Sequence, residues 1–150
     1  MTDLVLAIAH HLVVFTFVAL IAAEVLLLRP GITGERLAQL GRIDAAVGLV
    51  ATFVLVVGFL RVFFGAAGSA YYFANWAFWA KLAAFAAVGL LSVVPTLAIL
   101  RWRKAARADT AFAPPLAEVT RVRRFFAAEA ITLILIPTFA AMMARGYGSF

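Results

Sequence analysis

A chain of 150 residues with 66% hydrophobic and only 13% charged side chains holds about half the charge of an ordinary soluble domain. A soluble globule of this size could not hide that much apolar surface. There is no cysteine, which excludes disulfides, thiolate metal sites and cysteine nucleophiles and leaves the redox compartment unreadable.

Four runs reach the roughly 20 apolar residues that a helix needs to cross a bilayer core: about 4–28, 45–64, 76–100 and 125–144. Lipid-exposed backbone must satisfy its own hydrogen bonds, so each run is expected to be helical. The first, 4–28, is too long for a signal-peptide core and lacks a basic leader and a small-residue cleavage site, so it reads as a retained span. Asp3, His10, Phe17 and Glu24 recur at every seventh position along it, which keeps them on one face with a drift of about 20° per step. That stripe is expected to face into the bundle, with His11 turned about 100° from His10.

The connection that follows opens with Arg29-Pro30-Gly31 and carries Arg36 and Arg42. Asp44 opens the second span, and Arg61 lies about one turn inside its far end. Residues 65–75 carry no charge but include Gly65, Gly68, Tyr71 and Tyr72, which with Trp76 and Trp79 read as an aromatic belt at the headgroups. In the third span Lys81 lies a little over a turn from the start, on the same face as Ser92, and Pro95 lies near the other end. The third connection holds Arg101, Arg103, Lys104, Arg107, Arg121, Arg123 and Arg124 around Pro114-Pro115. The fourth span contains Glu129 about a turn in and Pro137 in its middle, and Arg145 closes it. Both prolines leave a carbonyl unbonded and are expected to kink their helices. Alanines four apart, Ala80/Ala84, Ala83/Ala87 and Ala140/Ala144, would allow close helix packing in lipid.

The net charge of +6 could suit nucleic acid, but most of it falls in the first and third connections, where positive charge marks the cytoplasmic side. Both termini are therefore expected outside, in the periplasm if the source is a Gram-negative bacterium. The implied partner is the lipid bilayer rather than nucleic acid, with self-association expected because thin spans offer little internal surface.

Ionisable residues at membrane depth are costly, so each is a site candidate. His10, His11, Arg61 and Lys81 fall at one level of the outer half, with Arg145 at the rim. Glu24, Asp44 and Glu129 form an inner polar set, with Arg29, Arg42, Arg101 and Arg124 as available salt-bridge partners. Imidazole beside cations suits haem, the ring ligating iron and the cations pairing with propionates; His10 on the polar stripe is then the iron ligand, with His11, Lys81, Met142 or Met143 as the second. The same groups suit an anion or proton pathway through a small transporter or proton-linked channel. A third reading is a non-catalytic assembly subunit whose polar groups only anchor helices. Adjacent histidines lack the spacing that brings both to one zinc ion. No nucleotide loop, Ser-His-Asp order or paired-metal motif is present, and whether the chain is an enzyme stays open.

The runs Ala9-His10-His11-Leu12, Glu24-Val25-Leu26, Arg42-Ile43-Asp44, Leu60-Arg61-Val62-Phe63 and Phe78-Trp79-Ala80-Lys81-Leu82 resemble an uncharacterised family of small bacterial four-helix membrane proteins, classed as a domain of unknown function. More distantly, the layout is similar to the small membrane-bound, haem-b-binding type of protoporphyrinogen oxidase. That likeness implies haem b as cofactor, His10 or His11 as the haem-associated histidine, and Lys81 in Trp79-Ala80-Lys81-Leu82 as the functional lysine; Arg61 and the inner acids have no counterpart in it. The expected architecture is an all-α, polytopic four-transmembrane-helix bundle of the inner membrane, with haem binding and a redox role as the leading function.

Overall fold

The computed structural model describes residues 1–149. Its helices are α1 (Thr2–Leu27), α2 (Gly34–Phe64), α3 (Gly68–Phe73), α4 (Trp76–Ala108), α5 (Leu116–Leu133) and α6 (Leu135–Ala144). Among the described residues no strand forms, and an isolated bridge joins Asn75 to Ser149. Four helical stretches are long and apolar enough to cross a membrane: α1, α2, α4, and α5 with α6 together. They form a ring in which α1 packs on α2, α2 on α4, α4 on α5 and α6, and α5 on α1. The all-α, four-span architecture is the one expected.

The helices overrun the apolar stretches. At 1.5 Å per residue, α2 and α4 are each roughly 45–50 Å long, against a hydrocarbon core of about 30 Å. The excess lies at the end bearing the arginine-rich connections, called here the basic end; the opposite, terminal end carries both chain termini. The basic connections are thus largely helical. Leu37 and Leu40 on α2, Ala98, Ile99 and Trp102 on α4, and Val119, Val122 and Phe126 on α5 form a fully buried cluster there with Leu28 and Ile32. Apolar residues spaced three and four apart give each helix an inward stripe even among arginines. Packing is densest at this end because water drives apolar faces together, whereas lipid tails give helices no such push.

Pro137 breaks the fourth span, as expected of a residue without an N–H. Its missing bond would have gone to Leu133, and α5 ends at Leu133. Beyond the break α6 packs against α4 and α5, while α1 contacts α5 alone of the two. Pro95 is buried within α4, which continues as one helix across it. Of the alanine pairs, Ala84 is buried but Ala83 and Ala144 are exposed, so small-residue packing is confined to one face of α4. Tyr72 leaves the aromatic belt for the interior, 9% exposed against Phe78, while Tyr71, Trp76 and Trp79 stay at the surface.

The uncharged connection folds into α3 and a strap. Asn75, wholly buried, caps α4 by accepting a hydrogen bond from the Ala77 amide at 2.9 Å, and its amide donates to the Tyr147 carbonyl at 3.1 Å. The Trp76 amide donates to Gly148 at 2.8 Å, and Tyr71 donates to Met143 at 2.8 Å. Gly148 takes a φ of 95° at this close approach, a conformation open mainly to glycine. The C-terminal segment is thereby tied to the start of α4.

Candidate functional site

The seven-residue stripe of α1 does face inward: Phe17 and Glu24 are buried, Asp3 and His10 half-buried, and His11 and Leu12 exposed. Asp3 accepts a hydrogen bond from the Ala66 amide at 3.0 Å, holding the start of α1 against the end of α2. His11 turns away, its Nδ1 2.7 Å from the Ala7 carbonyl of its own helix, its ring centroid 6.3 Å from that of His10. The two histidines do not converge.

In the terminal half, His10 and Lys81 line a cleft of about 70 Å³ whose other walls are apolar: Val14 from α1, Leu55 and Phe59 from α2, Leu82 and Phe85 from α4, Ile136 from α6. Gly58 lets the His10 ring lie against α2; a Cβ there would stand 3.4 Å from the ring. The Lys81 ammonium sits 5.2 Å from the centre of the Phe78 ring, an attraction between cation and π-face. Arg61 and Lys81 both act on His10 electrostatically, and so does His11. The Nδ1 of His10 and the Nε of Arg61 are buried without a hydrogen-bond partner. Arg145 is exposed at the end of α6, outside this cleft.

The basic half gathers the acids. Glu24 from α1, 2% exposed, and Glu129 from α5, 1% exposed, are among the few buried polar side chains, and each has one carboxylate oxygen without a partner. Asp44 from α2 lies within electrostatic reach of both Glu24 and Glu129. Thr96 of α4 donates to the Asp44 carboxylate at 2.8 Å. All four spans therefore meet in one polar layer. Sequence reading expected salt bridges here to Arg29, Arg42, Arg101 and Arg124, and that expectation is corrected. Arg29 donates through Nε to the Leu26 carbonyl, and Arg42, Arg101 and Arg124 are exposed. Their helical positions turn them outward, where water solvates them at less cost. Arg103 instead acts on Asp44, lying over Gly41 with Nη1 3.4 Å from its carbonyl.

Between the two layers stands an apolar plug of Phe17, Ile21, Val47, Val54 and Val88. His10 and Glu24 are fourteen positions apart, about 21 Å along α1. Sequence reasoning missed Thr96, Arg103, Gly58 and Asn75. Thr96 had a legible signal, lying one turn beyond Ser92 on the helix that faces Asp44; the others depended on which faces meet.

The family model described as "Predicted membrane protein (DUF2214)" matches residues 2–148. The chain belongs to this family. No curated protein matches it. No solved structure matches it either. The likeness to the haem-binding oxidase thus rests on its short motif alone, and the residues fit an enclosed haem poorly. A cleft of about 70 Å³ is well below the 300–1,000 Å³ of typical ligand pockets, His11 faces away, and Met143 is packed against the Val62, Tyr72 and Phe78 cluster. Among the described residues no group of three or more His, Asp or Glu is disposed to hold a metal ion.

Proposed function

We propose that this integral membrane protein is a small proton-linked carrier. In this reading Glu24, Asp44 and Glu129 hold the proton, and the cleft at His10 and Lys81 receives the solute. The observation that carries it is the meeting of carboxyls from α1, α2 and α5 in a buried layer without a paired arginine on Glu24 or Glu129. Carboxylates so gathered need a counter-ion. Among the described residues no group is disposed to hold a metal ion, and buried carboxylates left ionised and unpaired are costly, so in this reading protons neutralise the cluster. Intramembrane acids of this kind serve proton relays in pumps and transporters.

The plug of Phe17, Ile21, Val47, Val54 and Val88 argues for a carrier over an open channel, since no polar group continues the path through it. The break at Pro137, which frees α6 from α1, supplies a joint at the level of the plug. We further propose that the basic end faces the cytoplasm, so that the cleft opens towards the periplasm, and that lipid covers the exposed Leu, Val and Phe side chains of the spans.

Infrared difference spectroscopy on the protein in lipid tests the central element. A protonated-carboxyl stretch is expected at neutral pH, diminished in Glu24→Gln and in Glu129→Gln. Gradient-driven acidification of vesicles, measured with an internal pH dye in native lipid extract, should exceed that of protein-free vesicles and drop to background in Glu129→Gln. A wild-type protein with neither signal sinks the proposal.

A further inference from the structure

The cleft is unlike an aqueous vestibule in two respects. Its walls are almost wholly apolar, with His10 and Lys81 as the polar exceptions, and two wall residues, Leu55 and Phe59 of α2, are 38% and 42% exposed on the flank of the bundle. That flank faces acyl chains. The opening therefore leads sideways into lipid past Leu55 and Phe59 of α2, and not only upward into water.

The charge inside is one-sided. Arg61 and Lys81 act on His10 and Arg61 acts on Lys81, and among the described residues no carboxylate acts on either His10 or Lys81. The one acid at this end of α1, Asp3, is engaged by the Ala66 amide. The Arg61 Nε is buried without an acceptor. Lys81 thus brings positive charge to the wall of a small, mostly apolar space, with Arg61 acting on it from beyond the lining, and among the described residues no anionic partner acts on it, at a depth where unpaired charge is costly.

Depth and size narrow the ligand. Lys81 is five positions into α4, about 8 Å from its start, and His10 about 12 Å from the start of α1. A phosphodiester headgroup with its glycerol is too bulky for about 70 Å³, whereas a bare carboxylate with its first methylenes is compatible with it. We infer that the cleft binds the carboxylate of a single-chain amphiphile of the free fatty acid class, which enters sideways from the bilayer with its chain leaving past Leu55 and Phe59. Lys81 supplies the charge in the cleft wall, with Arg61 behind it, and Val14, Leu82 and Phe85 cover the methylenes next to the head. This names the solute of the carrier proposed above and rests on that reading for its physiological sense, but its test is binding rather than proton movement.

The full chain in phosphatidylcholine nanodiscs is labelled with a hexadecanoate bearing a diazirine near the carboxyl, and the adducts are located by mass spectrometry. Label is expected at Leu55, Phe59 and Leu82. Unlabelled hexadecanoate should compete at least about tenfold better than hexadecanol, the factor one charge-assisted hydrogen bond supplies. Lys81→Gln should remove that preference, and Arg145→Gln should keep it. If Lys81→Gln does not fold by circular dichroism, Leu55→Trp at the mouth replaces it and should abolish labelling at Leu82.

Equal competition by the alcohol, or label spread evenly around the lipid-facing surface, overturns the inference. So does competition by acetate, which would indicate a free small anion, or by phosphatidic acid, which would indicate a lipid headgroup. Selective labelling in a protein without proton flux supports this inference and removes the carrier reading; flux without selective labelling does the reverse.

Discussion

Replacing Asn75 by alanine should loosen the terminal end by a predictable amount. The side chain, itself wholly buried, accepts the α4 capping bond from Ala77 and donates to the carbonyl of the exposed Tyr147 in a partly buried bond. Loss of an N-cap costs about 1 kcal/mol, and loss of the partly buried bond to Tyr147 about another 1 kcal/mol. The sum is about 2 kcal/mol, or roughly 4–8 °C in melting temperature for a chain of this size. Asn75→Ser retains an oxygen for the cap but cannot reach the strap, so about half the loss is expected. Thermal unfolding in nanodiscs, followed by circular dichroism, measures both, and hydrogen exchange at the Trp76 amide, which donates to the Gly148 carbonyl, reports the strap. The structural reasoning fails if the alanine variant melts within about 1 °C of the parent, or if the serine variant loses as much as the alanine one. Phe78 and Lys81 follow directly on this cap, so a loosened strap should also weaken ligand selectivity in the cleft.

Other outcomes follow from the two polar layers and the plug between them. Asp44→Asn should reduce the protonated-carboxyl band of Glu24, because it removes a neighbouring acid that disfavours ionised Glu24; an unchanged band would separate the two groups. Gly58→Leu should push the His10 ring aside and fill the cleft, removing hexadecanoate labelling while leaving the infrared band in place. The purified protein should be colourless after growth with haem precursor, and a Soret band that disappears in His10→Ala would restore the haem reading. A C-terminal alkaline phosphatase fusion should be active in a Gram-negative host, whereas a fluorescent C-terminal green fluorescent protein fusion would reverse the orientation.

Hydrophobic run length alone determined the four spans, because a bilayer core accepts only helices of about that length and closed barrels. The period-seven stripe also predicted the inward face of α1, since helix geometry is local and a buried face on one side of a helix leaves its mark every second turn. Depth was legible for the same reason: counting residues from a span's end placed His10, Arg61 and Lys81 in one layer and Glu24, Asp44 and Glu129 in the other. Facing on the remaining helices was not legible. The arginines beside the acids looked like partners because they shared a level, but Arg42, Arg101 and Arg124 point outward, and Arg103, two positions and about 200° beyond Arg101 on α4, is the one that acts on Asp44. Which side chains meet depends on the rotation and neighbour of each helix, and in lipid no strong apolar stripe advertises that rotation. The tertiary structure alone decided that Gly58 seats His10 and that His10 and Lys81 stand together in the wall of an otherwise apolar cleft. The spans were written in the sequence as composition; the sites came from the way four rotations meet.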